Sequence, residues 1–216
     1  LGFFNDQVDI KGTKSFEEIV QRVKDYDKLN NKKFIIGRGW DQNDWKNKSF
    51  PTNELLNEAF PDKAVVLRRI DGHAYIVNNY ALSIAGIDES SKLDGGEFIK
   101  SRGKLTGVLI DNAMRLIDDV IPAPTREESI KALLSAQDLA FENGLTTVSE
   151  AGISRKQIEL IDSLQQSGIL KIKIYAMIEN GPDVDYYIKQ GPYKTDRLNV
   201  RSVKVYADGA LGSRGA

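Results

Sequence analysis

Apolar positions along this chain recur at two spacings, one typical of helices and one typical of buried strands. Between residues 15 and 29 the spacing is helical, and its apolar members are Phe16, Ile19, Val20, Val23 and Tyr26. Ser15 precedes this set and Glu18 follows three residues later, the pattern of a capping box. The spacing therefore predicts a helix from Ser15 to about residue 29.

Short apolar runs alternate with helical segments along the rest of the chain. We predict strands at 34–36, 64–67, 107–110, 145–148, 172–177 and 200–206, and helices at 52–60, 78–85, 125–143, 155–166 and 184–189. Residues 88–106 are charged and poorly periodic, which predicts a surface excursion. After residue 125 the alternation of strands and helices is regular. We therefore expect the strands at 145–148, 172–177 and 200–206 to be parallel neighbours in an α/β fold.

Composition narrows the functional classes. The 216 residues carry a net charge of −1, which gives no reason to expect nucleic acid or an anionic membrane as a partner. The chain has no cysteine, which excludes disulfides and thiolate metal sites, and no apolar run approaches the roughly 20 residues that span a bilayer. The N-terminal residues lack the basic start and apolar core of a signal peptide, so a cytoplasmic protein is expected. Because the chain begins without Met and ends just after a strand, we also expect a fragment of a longer protein.

The most informative chemistry lies near the end of the chain. Lys204 interrupts an apolar strand that runs into a glycine-rich turn containing Asp208. Alternation places Val203 and Val205 on one face of this strand and Lys204 on the other. A buried ammonium is costly unless it is paired or chemically altered, whereas a lysine facing water at an edge strand costs little. Both interpretations of Lys204 are open from spacing alone.

Four segments in order resemble amidohydrolase family 3, the YtcJ-like metal-dependent hydrolases. They are GRGWD at 37–41, LRRIDGHA at 67–74 running on to Val77 and Asn78, GLTTVSEAG at 144–152, and KVYADGALGSRGA at 204–216. Together they cover the chain from about residue 34 to its end. One departure is Ser149, which stands where many members of the family have histidine.

The resemblance implies a fold and a domain organisation. It implies a partial (β/α)8 TIM barrel of the metal-dependent hydrolase type with a large inserted α+β segment. Residues 1–33 would form a lead-in helix region, 34–124 an insertion over the barrel mouth, and 125–216 the barrel units. A complete barrel needs about 250 residues before insertions, which agrees with a partial one.

The resemblance also implies a metal ligand. It implies that Lys204 is a carboxylated, bridging lysine in a site for one or two divalent metal ions. Zinc is the first expectation for the metal, and iron and manganese are alternatives. The alternative is a lysine paired with a nearby carboxylate. The family's histidine ligands cannot be present, because the chain contains a single histidine, His73. We therefore expect no complete metal site in this chain.

The remaining candidates follow from the same segments. His73 and Asp208 are assigned catalytic roles, and Trp40, Asp41, Asp71 and Glu150 are assigned to substrate binding. Three of these residues also have a structural interpretation. His73 could be a histidine hydrogen-bonded to backbone, Trp40 an anchor of the core, and Asp208 an anchor of its turn.

Two functions are carried forward. The first is a metal-dependent amidohydrolase that cleaves an amide-type C–N bond through metal-activated water, with a small-molecule amide as its substrate. The second is a catalytically silent α/β module that binds a ligand or partner. Self-association into a homo-oligomer stays open under both.

Overall fold

The computed structural model describes residues 2–205, which divide into two compact units. The N-terminal unit is Asp6–Ala123, and the C-terminal unit comprises Leu1–Asn5 and Pro124–Ala216 as far as these are described. Helix α1 (Gly2–Asn5) therefore belongs to the C-terminal unit. None of the helices within residues 2–205 is long and apolar enough to cross a membrane.

The N-terminal unit is built on a six-stranded mixed sheet. In chain order its strands are β1 (Val8–Asp9), β2 (Phe34–Trp40), β3 (Ala64–Arg69), β4 (Ala74–Val77), β5 (Gly96–Ser101) and β6 (Lys104–Asp111). The spatial order is β1-β2-β3-β4-β6-β5. The first three strands are parallel, and the pairs β3–β4, β4–β6 and β6–β5 are antiparallel.

Four helices accompany this sheet: α2 (Phe16–Asn30), α3 (Glu54–Ala59), α4 (Asn79–Ile84) and α5 (Arg115–Asp118). The predicted start of α2 is confirmed, since the Ser15 side chain accepts from the Glu18 N–H at 3.3 Å. Ile19 and Val23 of α2 are fully buried in the core beside the sheet. The helix predicted as a lead-in region thus lies inside the N-terminal unit.

Both faces of the central strands of this sheet are buried. Ile76 of β4 belongs to the core cluster that also holds Trp40 and α2, whereas Val77 belongs to a second cluster with α4. All four residues of β4 and the first four of β3 are buried. Such continuous apolar runs mark strands covered on both sides.

The surface excursion predicted at 88–106 is wrong. Residues 96–101 form β5 and pair with β6, which begins at residue 104. The strand β5 lies at the edge of the sheet and is partly exposed, so its polar residues hide the alternation expected of a strand.

The C-terminal unit follows the predicted β/α order. Its elements after α1 are α6 (Arg126–Glu142), β7 (Thr147–Ile153), α7 (Arg155–Gln166), β8 (Lys173–Glu179), α8 (Val184–Gln190), β9 (Tyr193–Lys194) and β10 (Leu198–Lys204). The sheet order is β7-β8-β10-β9. The parallel pairs β7–β8 and β8–β10 confirm the predicted neighbours, and the short β9 adds an antiparallel edge.

The described strands form no closed barrel. Of the predicted partial TIM barrel, the structure shows an α/β fold with consecutive parallel strands. One face of this sheet packs on helices through Ile174, Ala176 and Ile178 of β8. Val203 and Val205, which alternation places opposite Lys204, are not part of this packing, because they are 36% and 60% exposed. On β10 the buried core reaches only Leu198 and Val200.

Candidate active site

The candidate residues fall into two groups, one in each unit. Trp40, Asp41, Asp71 and His73 lie at one end of the six-stranded sheet, where β2 and β3 both finish and Trp40 pairs with Arg69. Glu150 and Lys204 lie on β7 and β10 of the C-terminal unit. Asp208 lies outside the described residues.

Trp40 is a core residue of the N-terminal unit. Its side chain has no exposed surface, and its indole N–H donates to the Leu67 carbonyl at 2.8 Å. Trp45 stacks on it with ring centroids 6.2 Å apart, and Phe50 meets it edge-on at 6.5 Å. This packing fits the core-anchor interpretation; contact of Trp40 with a substrate stays a prediction.

Asp41 begins the short 3-10 turn at Gln42–Asp44. Its Oδ1 accepts from the Asn43 N–H at 2.9 Å and from the Asn43 side-chain amide at 2.8 Å. These bonds are those of an N-cap, which satisfies a backbone donor that the turn leaves free. The second Asp41 carboxylate oxygen makes neither of these bonds.

Asp71 joins the end of β3 to the histidine. Arg69 donates to both Asp71 oxygens, at 2.9 and 2.6 Å, and the His73 backbone N–H donates to Oδ1 at 3.1 Å. Partial burial raises the pKa of the Asp71 carboxyl, but the bonds from Arg69 and from the His73 N–H outweigh it and lower that pKa. Asp71 is therefore held as a carboxylate that fixes the loop before His73.

The Arg69 guanidinium connects this loop to the aromatic core. It lies 5.9 Å from the centre of the Trp40 ring and 5.7 Å from that of Phe50. Its side chain is 17% exposed, so the ion pair with Asp71 is partly shielded from water. Trp40, Arg69 and Asp71 thus form one connected cluster.

His73 lies at the start of β4, against the end of β6. Its Nδ1 is 2.8 Å from Oδ1 of Asp111, and the Asp111 backbone N–H donates to the His73 carbonyl at 3.1 Å. The His73 side chain is 35% exposed, so solvent reaches part of the ring. A ring held through one nitrogen and open at the other can accept or donate a proton.

In the C-terminal unit, three strand ends meet at Lys204. Lys204 pairs with Glu179 across β10 and β8, and both are the last residues of their strands. A Cβ placed on Gly152 of β7 would lie 3.5 Å from Lys204 Cγ and 4.0 Å from Glu179 Cβ. Functional groups of parallel-stranded enzymes gather at such carboxyl ends.

Glu150 lies on the other face of this sheet from Lys204. It pairs with Ala176, which is buried against the helices, whereas Lys204 pairs with Glu179, three residues further along β8. Residues an odd number of positions apart on a strand point to opposite faces. The structure therefore does not bring Glu150 and Lys204 together, and the role of Glu150 in substrate binding stays a prediction.

The described residues do not by themselves complete a metal centre. Within 2–205, no three His, Cys, Asp or Glu side chains come close enough together to hold an ion. Lys204 and Glu179 share a strand end, but two residues are fewer than the three or four protein ligands of a usual site.

Sequence reasoning missed Asp111, the hydrogen-bond partner of His73. The two residues are 38 positions apart and meet only because β4 and β6 are antiparallel, with Ala74 opposite Ile110. No local motif marks that register. Arg69 belongs to a segment quoted above, but its pairing with Asp71 two residues later was not predicted.

Comparison with known proteins identifies the family of this chain. The family model described as the amidohydrolase family matches residues 3–216. YtcJ of Bacillus subtilis (strain 168), whose name gives amidohydrolase as a provisional assignment, is 30% identical over 97% of this chain and 41% of its own length. Protein LONG AFTER FAR-RED 3 of Arabidopsis thaliana is 29% identical over 97% of this chain and 39% of its own length.

Two solved structures resemble the chain. Uncharacterized metal-dependent hydrolases from Pyrococcus horikoshii OT3 and Pyrococcus furiosus match with TM-scores of 0.74 and 0.72 and identities of 27% and 26%. The match covers 100% and 99% of this chain and 42% of each of theirs. The chain thus spans about two-fifths of the length of these relatives.

Proposed function

The chain belongs to the amidohydrolase family, and from that premise we propose that it is part of a metal-dependent enzyme that hydrolyses an amide-type C–N bond in a small molecule. The family match over residues 3–216 carries this proposal. The two Pyrococcus structures support it, since both are described as metal-dependent hydrolases. A divalent metal bound by the whole protein would supply the activation of the reacting water.

Lys204 is the metal ligand that this chain supplies in the proposal. Its support is its position at the carboxyl end of β10, level with Glu179 and beside Gly152. Carboxylation of the amine to a carbamate would turn this cation into an anionic ligand. Since the described residues do not complete a metal centre, zinc is proposed from the resemblance alone.

His73 is proposed as the residue that transfers a proton to or from the substrate, together with Asp208. The support for His73 is the ring geometry, with one nitrogen held by Asp111 and a partly exposed side chain. Trp40, Asp41 and Asp71 are proposed to shape the substrate pocket, and the cluster around Arg69 supports a fixed wall there.

The experiment uses the protein in its natural full length. Its metal content is measured, and N-acyl and N-formyl amines are screened for hydrolysis with and without a chelator. We expect bound divalent metal, with zinc as the first candidate, and chelator-sensitive release of the amine. Lys204→Ala should lower activity at least about 100-fold and reduce metal content.

A matched control lies on the same sheet. Lys173 occupies the first position of β8 and points to the same face as Glu179, but at the opposite end of the strand. Lys173→Ala should leave metal content and turnover close to wild type. A Lys204→Ala protein with full metal content and full turnover would remove Lys204 from the site.

The alternative function is a silent ligand-binding or partner-binding module. The specific observation in its favour is Ser149, which stands where many members of the family have histidine. The same experiment separates the two: a full-length protein without metal that hydrolyses none of the amides would support the binding module.

A further inference from the structure

Asp111 adopts a backbone conformation that is unusual for any residue with a side chain. Its φ of 49° and ψ of −121° lie outside the regions that L residues favour, including the left-handed helical region. Such a conformation is unfavourable and persists only where the surrounding structure compensates for it. Glycine would adopt it without this cost, so the aspartate side chain needs a reason to be there.

Capping does not provide that reason. Asp111 directly precedes the 3-10 turn Asn112–Met114, where an aspartate ordinarily accepts from a backbone N–H. Here the side chain makes no capping bond. The hydrogen bond recorded for the Asp111 carboxylate among residues 2–205 is the 2.8 Å contact with His73 Nδ1.

The contact fixes which ring nitrogen carries the proton. A carboxylate only accepts hydrogen bonds, so Nδ1 of His73 must donate. In the neutral ring Nε2 is then unprotonated and able to accept a proton. The backbone of His73 is fixed as well, because its N–H donates to Asp71 and its carbonyl accepts from Asp111.

We propose that Asp111 is a positioning residue that holds His73 in the tautomer with Nε2 free, and that the strained backbone of Asp111 is retained for this purpose. The inference rests on the proton-transfer role proposed for His73 and adds the residue that sets its orientation. Asp111 acts through His73 and itself contacts no substrate in this scheme.

The direct test is the tautomer of His73, measured by nitrogen-15 NMR of the imidazole in the full-length protein. The His73 signal is identified by its loss in His73→Gln. At about pH 9, where an ordinary imidazole is neutral, the wild type should show a protonated Nδ1 and an unprotonated Nε2. Asp111→Gly should lose this preference, and Asp111→Asn should keep part of it, since the amide oxygen can still accept.

Stability provides a second readout that a purely structural role would not produce. Asp111→Gly relieves backbone strain, so its melting temperature should equal or exceed that of the wild type while the tautomer changes. The matched control is Arg102→Gly, because Arg102 also has positive φ (51°), in the turn between β5 and β6. Arg102→Gly should leave the tautomer unchanged.

The outcomes separate this inference from the proposed function. Where amide hydrolysis is found, Asp111→Gly should lower kcat at least about tenfold with little change in KM. If His73→Gln is inactive but Asp111→Gly keeps the wild-type tautomer and kcat, positioning by Asp111 is overturned and catalysis by His73 stands. If His73→Gln retains full turnover, the proposed role of His73 fails, and the inference fails with it.

Discussion

The two units use their sheets in opposite ways. In the N-terminal unit, β3 and β4 are buried on both faces, with one apolar cluster on each side of the sheet. In the C-terminal unit, one apolar cluster covers one face. The second face, here called the open face, carries Tyr175, Met177 and Glu179 of β8 with Ser202 and Lys204 of β10.

The open face is polar, and some of its side chains bond to one another. Tyr175 donates to the Ser202 hydroxyl at 3.0 Å, and the Arg201 guanidinium lies 5.5 Å from the centre of the Tyr175 ring. Parallel sheets are ordinarily covered on both faces, whereas the described residues of this unit cover one face of its sheet. The comparison is therefore between a sheet packed on both faces and a sheet packed on one.

The largest expected effect compares two glycines, one in each unit. Gly107 of β6 (φ +84°) and Gly152 of β7 (φ +95°) are both in backbone conformations that disfavour alanine. A Cβ on Gly107 would lie 2.3 Å from the Val77 carbonyl oxygen, whereas one on Gly152 would meet nothing nearer than Lys204 Cγ at 3.5 Å. Gly107→Ala should therefore cost about 4 kcal/mol and Gly152→Ala about 1–2 kcal/mol.

Each glycine variant can be followed in its own unit. The chain has two tryptophans, Trp40 and Trp45, and both lie in the N-terminal unit, so denaturant unfolding by tryptophan fluorescence reports Gly107→Ala. Hydrogen exchange of β7 and β8 amides reports Gly152→Ala. Equal losses in the free energy of unfolding for the two variants would show that the N-terminal sheet adjusts to the added methyl group. That result would contradict the tight packing around Gly107.

The next prediction tests whether one face of β8 is really open. Ile178 is buried against the helices, whereas its neighbour Met177 is partly exposed on the open face. Ile178→Ala should cost about 2–5 kcal/mol and Met177→Ala less than about 1 kcal/mol in the 216-residue chain. Hydrogen exchange of the β8 amides measures both. A Met177→Ala cost matching that of Ile178→Ala would mean that this face is packed against a partner.

The same contrast explains what the sequence could predict. The parallel neighbours β7, β8 and β10 were predicted because strand and helix periods alternate cleanly there. The helix predicted at 125–143 is observed as α6, and Thr125 and Glu128 form a capping box at its start. The polar strand β5 was missed, because an exposed edge strand lacks alternation.

The candidate site was predicted only where its residues are close in sequence. Asp71 and His73 were singled out together and are hydrogen-bonded. The contact of His73 with Asp111 depends on strand register, and the opposite faces of Glu150 and Lys204 depend on the bulges in β7 and β10. Register and bulges are set by packing over the whole sheet, which local patterns do not encode.

A smaller effect is expected at the charged end of the N-terminal sheet. Asp71→Asn removes a charge-assisted pair with Arg69 and should destabilise this unit by about 1–2 kcal/mol at neutral pH. The lowered pKa of Asp71 sets the pH dependence. Its stabilisation is complete above about pH 4, the ordinary aspartate range, and is lost as pH falls through the lower folded value.

The control for Asp71 is Asp25, whose carboxyl has a lowered pKa through bonds from Lys28 and Gln21 on the exposed side of α2. Asp25→Asn should leave the free energy of unfolding close to that of the wild type, as is usual for exposed helix pairs. Tryptophan-monitored unfolding between pH 3 and 7, at roughly one-unit steps, measures both. An Asp71→Asn protein with the wild-type acid profile would contradict the assigned role of the pair.

The smallest effect contrasts two tyrosines, one on each kind of sheet face. Tyr75 is buried in β4 and donates to Asp118 at 2.7 Å, and burial, followed by this bond to a carboxylate, raises the pKa of its hydroxyl. Tyr175 is on the open face, where the Ser202 hydroxyl and then the Arg201 guanidinium can donate to its deprotonated oxygen and so lower its pKa. A raised folded pKa means that stabilisation by Tyr75 is complete below about pH 10, the ordinary tyrosine value, and is lost as pH rises towards the folded value. Tyr75→Phe should therefore cost about 1–2 kcal/mol at neutral pH and make unfolding less sensitive to alkali.

For Tyr175 the sign is opposite, because its lowered pKa favours the folded state as pH rises. Tyr175→Phe should therefore make the chain more sensitive to alkali. Unfolding curves between about pH 8 and 11 measure both slopes, and slopes of the same sign would remove the distinction between the covered face and the open one.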